Sequence, residues 1–237
     1  QAQAVREGRI GALFNGDSAA WHREMQRVAV EESRLKIPLL FGADVIHGSR
    51  TIFPTPQAEA AAFDPDLAQR TARAAAIEAT ATGIAWNFAP MVDISRDARW
   101  GRGVEGAGED VYLACLLATA RVKGFQGDRG LSDAQAMLAT PKHLAAYGAA
   151  AAGLDYNSVD ISERTLREVY FPPFQAAFQA GALSTMAAFN DLGGVPCHAN
   201  PWLTKSVLQG EWGFDGFVVS DFTGDMELIA HGFAEDE

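Results

Sequence analysis

A carboxylate placed directly after an apolar run is the first feature of this sequence that suggests chemistry. The run Gly216–Ser220 contains Phe-Val-Val, and Asp221 follows it. A buried strand gains nothing from a charge in its packing, so Asp221 is either a cap for the next helix or a reactive group. Ser220 and Thr223 offer caps as well, and this segment alone gives the two interpretations equal weight.

A second carboxylate follows another apolar run in a distant part of the chain. Asp44 comes directly after Leu39–Ala43. A carboxylate can accept hydrogen bonds from two neighbouring sugar hydroxyls, and such charge-assisted bonds are stronger than neutral ones. Asp44 and Asp221 together therefore suggest recognition of a polyol, although an ion pair with an arginine at the rim would also account for Asp44.

Lys142 and His143 follow a third apolar run, within the segment Pro141–Gly148. A lone histidine in apolar surroundings is more often structural than catalytic. The adjacent lysine is more informative, because lysine is rarely buried without a partner. We therefore expect Lys142 to meet a carboxylate or a substrate hydroxyl.

The segment Arg96–Asp110 combines both charge signs with Trp100 and several glycines, and it includes Arg102. A salt-bridged surface loop would explain the charges. It would not explain the tryptophan and the glycines, which suit a backbone folded tightly against a ligand site.

The elements that must position these residues alternate along the chain. Short apolar runs predict buried strands at Ile10–Phe14, Pro38–Val45, Ala85–Val92, Met137–Ala145, Leu183–Phe189 and Gly216–Ser220. Helical spacing predicts helices at His22–Arg34, Pro65–Thr82, Val111–Gln126, Glu163–Ala180 and Pro201–Gln209. Asp64 and Asn200 are suitable N-caps for two of them. This alternation is typical of a parallel α/β architecture.

Polar residues directly follow nearly every predicted strand, and this favours a barrel over an open sheet. They are Asp44, Asp93, Lys142, His143, Asn190 and Asp221. A barrel gathers the carboxyl ends of its strands on one face, where such side chains converge. A nucleotide-binding open sheet would carry a glycine fingerprint after a strand, and none is present. We therefore predict one domain with a TIM-type (β/α)8 barrel.

Composition excludes several classes of function. The 19 Lys and Arg residues against 30 Asp and Glu give a net charge of −11, which disfavours nucleic acid as a partner. No apolar run approaches the roughly 20 residues of a membrane-spanning helix. The two cysteines, Cys115 and Cys197, have no metal-site spacing, so we expect free thiols and no metal.

Several long motifs, in this order and at these separations, resemble the barrel domain of glycoside hydrolase family 3. The motifs are Arg96–Asp110, Lys142–Gly148 and Gly213–Asp221. The bacterial periplasmic β-glucosidase branch is the most similar, through Ile37–Gly48, Tyr156–Asp160 and Ser220–Ile229. Another branch cleaves N-acetylglucosamine with a His-Asp dyad after K-H-F-P-G-H-G, and Lys142–Gly148 departs from that motif.

The resemblance implies a retaining, exo-acting β-glucosidase that needs no cofactor or metal and acts on β-glucosides or oligosaccharides. It makes Asp221 the covalent nucleophile. It assigns binding of the terminal sugar to Asp44, Arg102, Lys142 and His143. Phe189 occupies a position where some members have tyrosine, so an apolar wall is the role that remains there. A β-xylosidase of the same family and a non-catalytic sugar-binding domain are the alternatives.

The resemblance also implies that residues 1–237 are part of a family 3 barrel domain. We expect the barrel to be incomplete at both ends, because the chain starts and stops inside helical patterns. In the family the acid/base commonly comes from a following α/β sandwich domain, which is absent here. We therefore expect the acid from that missing C-terminal domain or a second chain, and an inactive fragment without it. No signal peptide is visible in Gln1–Gly8, and the resemblance alone suggests a periplasmic or secreted protein.

Overall fold

The computed structural model describes residues 1–16 and 18–236. The strands, in chain order, are β1 (Ala12–Phe14), β2 (Leu40–Ala43), β3 (Trp86–Asn87), β4 (Leu138–Ala139), β5 (Ser184–Met186), β6 (Asp191–Leu192), β7 (Val195–Pro196) and β8 (Phe217–Val219). The α-helices are α1 (Ala2–Arg6), α2 (Ala19–Arg27), α3 (Pro56–Ala60), α4 (Pro65–Ala81), α5 (Val111–Gln126), α6 (Glu163–Thr165), α7 (Pro172–Gln179) and α8 (Glu227–Ala230). Three π-helical segments span Val28–Glu32, Leu166–Tyr170 and Trp202–Glu211. Short 3-10 helices include Gly101–Glu105 and Cys197–Ala199.

The strands form an arc of parallel neighbours in chain order. β1 pairs with β2, β2 with β3 and β3 with β4. Beyond β4, Lys142 forms a parallel β-bridge with Met91, and Leu144 forms one with Ala187. The second bridge joins the segment after β4 to the end of β5. β5 then pairs with β8. Within the described residues β1 and β8 each pair on one side only, so the arc stays open.

All of the predicted strands are present, but each is shorter than its apolar run. The chain leaves the ladder near the carboxyl end of each strand, where polar residues begin. One pair of strands was missed: β6 and β7 form a small antiparallel hairpin, with Asp191 opposite Pro196. Both of its strands are two residues long, too short for a period-two pattern to be visible in the sequence.

The predicted helix α5 has the expected bounds, and the predicted caps are in place. Asp64 accepts the N–H of Leu67 at 3.0 Å, and Asn200 accepts the N–H of Leu203 at 3.1 Å. The single helix predicted over Glu163–Ala180 is wrong, because the structure divides it into α6, a π-helical turn and α7. Proline lacks the N–H that an uninterrupted helix needs, and α7 begins with two prolines.

Small residues let α4 and α5 pack closely against each other. The buried face of α4 consists of alanines: Ala68, Ala72, Ala75, Ala76 and Ala79. Gly124 of α5 lies opposite them, so close to α4 that there is no room for a side chain at this position. A Cβ at this position would lie 2.6 Å from the Cβ of Ala72 and would overlap the carbonyl oxygen of Gln69.

Trp86, the first residue of β3, lies in a cluster of aromatic side chains. Trp86 lies edge-on to Phe88, with ring centroids 4.7 Å apart, and to Phe217, 5.4 Å apart. The indole N–H of Trp86 donates to the hydroxyl of Thr140 at 2.9 Å. These contacts connect β3 with β8 and with the segment that follows β4.

The α4–α5 contact predicts that Gly124→Ala destabilises the protein. In an isolated helix this change would stabilise by about 1 kcal/mol through helix propensity. Here overpacking should outweigh that gain and cost about 1–3 kcal/mol. Thermal unfolding of the full-length protein checks it. Gly11→Ala is the control, because a Cβ there meets no atom within 4 Å. An unchanged or raised Tm for Gly124→Ala would show that the helices can separate at little cost.

Candidate active site

The polar residues that follow the strands meet in one cluster at the carboxyl ends of the arc. Asp44 follows β2, Lys142 and His143 lie beyond β4, and Asp221 follows β8. Arg102 joins them from the 3-10 helix Gly101–Glu105. The structure thus brings together residues that are far apart in the sequence, as the barrel prediction requires.

Asp44 and Lys142 form an ion pair, with Lys142 Nζ 2.6 Å from Asp44 Oδ1. The lysine side chain is buried, whereas that of Asp44 is 41% exposed. Lys142 therefore meets a carboxylate, as predicted, and the alternative of an arginine partner for Asp44 is wrong. Asn87 fixes the adjacent backbone by bonding both the N–H of Val45 at 2.9 Å and its carbonyl at 3.1 Å.

His143 is held in a single tautomer by its two neighbours. Asp93 Oδ2 accepts the main-chain N–H of His143 at 2.9 Å and lies 2.8 Å from the ring atom Nδ1. On the other side, Arg102 Nη2 is 3.0 Å from Nε2. A guanidinium can only donate, so Nε2 must be the acceptor and the ring proton must sit on Nδ1. Nδ1 therefore donates to Asp93.

The charge states at this pair follow from burial. Burial lowers the pKa of His143 well below its usual value, and the cations of Arg102 and Lys142 lower it further. Burial also raises the pKa of Asp93 to about 7, although the N–H of His143 opposes this shift. His143 is therefore a neutral ring in the cluster.

Asp221 has one carboxylate oxygen bound and one free. Its Oδ1 accepts the N–H of Phe222 at 2.7 Å. Its Oδ2 is buried, lacks a hydrogen-bond partner among the described residues and lies 3.4 Å from His143 Nε2. Because Nε2 of the neutral ring carries a lone pair, this approach is not an ion pair. The alternative that Asp221 caps a helix is wrong, since α8 begins only at Glu227.

The net pKa shift of Asp221 is opposite to what its neighbours suggest. Lys142 and Arg102 each act to lower this pKa. Burial is the larger effect, however, and raises the pKa of Asp221. An ionised Asp221 is poorly hydrated, which makes its free oxygen more basic than that of an exposed aspartate.

Phe189 forms part of the apolar wall beside this cluster. Its ring centroid is 4.4 Å from that of Tyr156 and 6.0 Å from that of Tyr147. Tyr147 in turn lies edge-on to His143, at 5.3 Å. The side chain of Phe189 is buried and apolar, so this position contributes a surface and no hydrogen bond.

Sequence reasoning left several neighbours of the cluster without a role. They are Asp93, Glu105, Tyr147, Tyr156 and His198. Asp93 was recognised as a polar residue after a predicted strand, like Asp44 and Asp221, but it was given no role. His198 had no such signal: it lies beyond the unpredicted hairpin, and its ring accepts the main-chain N–H of Asp221 at 3.1 Å.

Parallel strands joined by helices, with polar side chains gathered at their carboxyl ends, define an α/β protein of the TIM-barrel class. Comparison with known families makes this assignment specific. The chain belongs to glycosyl hydrolase family 3, because residues 1–237 match the N-terminal domain of that family. The predicted TIM-type barrel is confirmed, with the described strands forming its open arc.

Individual relatives carry related names. The chain is 44% identical to a periplasmic beta-glucosidase of Salmonella typhimurium, over 99% of this chain and 30% of the relative. It is 40% identical to a beta-xylosidase of Formosa agariphila, over 84% of this chain and 29% of that protein. The beta-glucosidase of Listeria innocua in complex with glucose superimposes with a TM-score of 0.93, at 45% identity, over 95% of this chain and 32% of that one. The chain thus spans about 30% of the relatives' length.

Two further structural observations concern a membrane and a metal ion as binding partners. Across residues 1–16 and 18–236, no helix has the length and apolar character to cross a membrane. In the same part of the chain, no three His, Cys, Asp or Glu side chains gather as a metal ion would require.

The arrangement around His143 predicts a neutral Nδ1–H ring that stays neutral as the pH falls through about 6.5, the ordinary histidine pKa. Histidine-selective 15N labelling of the full-length protein would detect this in the two ring nitrogen shifts. Arg102→Met removes the donor to Nε2 and a cation that disfavours protonation, so the pKa of His143 should rise. Arg99→Met is the matched control, because Arg99 pairs with Asp97 in the same loop and is exposed. A ring that gains its proton near pH 6.5 in the unmodified protein would contradict this assignment.

Proposed function

We propose that this chain is the barrel domain of a retaining, exo-acting β-glucosidase, which hydrolyses terminal non-reducing β-D-glucosyl residues through a covalent intermediate on Asp221. The observation that carries the proposal is Oδ2 of Asp221, which is buried, has no hydrogen-bond partner among the described residues and belongs to the same cluster as Asp44, Lys142 and Arg102. Family membership and the names of the relatives support it.

In the first step Oδ2 of Asp221 attacks the anomeric carbon, and the bond from that carbon to the leaving oxygen breaks. The leaving oxygen takes a proton from a general acid. Water then attacks the glycosyl-enzyme, gives a proton to the same group and releases glucose and the free carboxylate. The bond from Phe222 N–H to Oδ1 holds the carboxylate so that Oδ2 is the oxygen that reacts.

The terminal sugar would be held by the groups beside the nucleophile. The exposed edge of Asp44 can accept from ring hydroxyls, while Lys142 and Arg102 supply donors and fixed positive charge. His143 contributes by orienting Arg102. Such contacts accelerate the reaction to the extent that they tighten as the ring flattens towards an oxocarbenium ion. Phe189 would shape the apolar side of the sugar pocket.

We place the general acid outside residues 1–237. A retaining glycosidase needs a second carboxyl about 5–5.5 Å from its nucleophile. Three carboxylates near the nucleophile already have partners: Asp44 pairs with Lys142, Asp93 with His143 and Glu105 with Arg102. The relatives are about three times as long as the matched region, so a following domain or a second chain can provide the acid.

A β-xylosidase is the second candidate, because a relative of that name is 40% identical. Xylose lacks only the hydroxymethyl group of glucose, so the same nucleophile and the same sugar-binding residues would serve both sugars. A sugar-binding domain without catalysis is less favoured, since binding does not need an unpartnered carboxylate beneath the anomeric carbon. A periplasmic or secreted location is proposed on the name of the Salmonella relative alone.

The nucleophile assignment predicts the fate of a trapping reagent. A 2-deoxy-2-fluoroglucoside with a dinitrophenolate leaving group should label Asp221, and peptide mass spectrometry would locate the label. Asp221→Ala should lose essentially all turnover and labelling. Asp215→Asn is the matched control, because Asp215 is exposed and precedes β8, whereas Asp221 follows it. Labelling of another residue, or substantial turnover by Asp221→Ala, would refute the assignment.

The placement of the acid predicts selective loss of activity in residues 1–237 expressed alone. We expect no measurable cellobiose hydrolysis, because the sugar leaving group must be protonated. Slow cleavage of dinitrophenyl β-glucoside should persist, since that leaving group needs little protonation. Circular dichroism would establish that the fragment is folded, and adding the downstream region on the same or a second chain should restore cellobiose hydrolysis. Efficient cellobiose cleavage by the fragment alone would place the acid within it.

A further inference from the structure

His198 contacts the nucleophile segment from a part of the chain that no motif singled out. It lies in the 3-10 helix Cys197–Ala199, directly after the hairpin formed by β6 and β7. Its ring atom Nε2 accepts the main-chain N–H of Asp221 at 3.1 Å. Nε2 must therefore carry a lone pair, which requires the ring proton to be on Nδ1.

The turn after β8 is shaped around this imidazole. The N–H of Gly224 donates to the carbonyl of Asp221 at 3.0 Å and closes the turn. A Cβ at position 224 would overlap the ring of His198, so only glycine fits while the histidine holds this place. On its other side, the ring of His198 lies 6.3 Å from that of Phe189. His198 therefore fills the space between the nucleophile turn and the apolar wall.

The two main-chain contacts of the nucleophile act together. Phe222 N–H binds Oδ1 of Asp221, and His198 binds the N–H of Asp221 itself. The first bond sets the rotation of the carboxylate relative to the turn. The second sets the position of the turn relative to the rest of the barrel, because His198 belongs to the segment that follows β5.

We propose that His198 is a positioning residue for the nucleophile: by accepting the main-chain N–H of Asp221, it fixes the turn that directs Oδ2 at the anomeric carbon. This inference rests on the proposed function. His198 does not touch the sugar in this role. Its contribution is therefore to the rate of attack and not to sugar binding.

The electrostatic surroundings of His198 suit an acceptor. Burial lowers its pKa, although Asp225 and the carbonyl of Ala188 oppose that shift. The titratable groups that face the ring are Asp221 and Asp225 beyond β8, and His143 beyond β4. The neutral ring leaves Nε2 free to accept across the neutral pH range.

A pair of substitutions in the full-length protein separates positioning from packing. His198→Leu fills the space but cannot accept a hydrogen bond. His198→Gln places an amide oxygen near the former Nε2 and can accept one. His231→Gln is the matched control, because His231 is exposed at the end of α8.

The measured quantity is the rate at which the 2-fluoroglucoside with a dinitrophenolate leaving group labels Asp221, since that rate reports nucleophilic attack without the acid. We expect His198→Leu to slow labelling by about tenfold or more, because misplacing a reacting group is costly. His198→Gln should recover most of that rate, and His231→Gln should match the unmodified protein. Glucose affinity, measured by competition, should stay within about twofold in all of them, because its contacts lie at other residues.

Two outcomes would overturn the proposal. Equal labelling rates for His198→Leu and the unmodified protein would show that the bond does not position the nucleophile. Equal losses in His198→Leu and His198→Gln, with weakened glucose binding, would show a general packing role. Failure of the proposed function itself has a different signature, because the unmodified protein would then not be labelled at Asp221 at all.

Discussion

The double hydrogen bond from His143 to Asp93 fixes the imidazole ring that both Arg102 and Asp221 approach. One carboxylate oxygen accepts both the main-chain N–H and the ring N–H of the same residue, so the ring can neither rotate nor exchange tautomers without losing a bond. Nε2 then has to be an acceptor, and this draws Arg102 into place. As a result the free oxygen of Asp221 faces a neutral lone pair, not a cation. A nucleophile held this way is not quenched by a permanent ion pair.

The two cations of the cluster are each paired with a carboxylate. Asp44 neutralises the buried Lys142, and Glu105 neutralises Arg102. Each cation near Asp221 therefore already has a carboxylate of its own, which helps to explain why burial outweighs their effect on its pKa. The site keeps the donors that a sugar needs while leaving the nucleophile reactive.

Much of this organisation follows from local patterns in the sequence. The strand preceding Asp221 is a short apolar run, and Val111–Gln126 is a longer, largely apolar segment that Asp110 caps. The carboxyl ends of parallel strands have to meet in a barrel. The hairpin after Asn190 and the division of Glu163–Ala180 depend on short turns and on Pro172, which periodicity does not describe. The sign of the pKa shift at Asp221 depends on burial, a property of the assembled fold. The contact of His198 with Asp221 depends on the path of a loop, so no residue pattern near either position predicts it.

The cluster joins points that lie far apart along the polypeptide. Asp44 and Lys142 are separated by 98 positions, Asp93 and His143 by 50, and Arg102 and His143 by 41. Contacts at such separations require long loops of chain to close, which costs conformational entropy. Binding competence should therefore appear together with the complete arc and not with any single segment. A short loop transferred from this protein into another scaffold would reproduce the sequence motif but not the proposed sugar-binding site, because that site is formed by the whole fold.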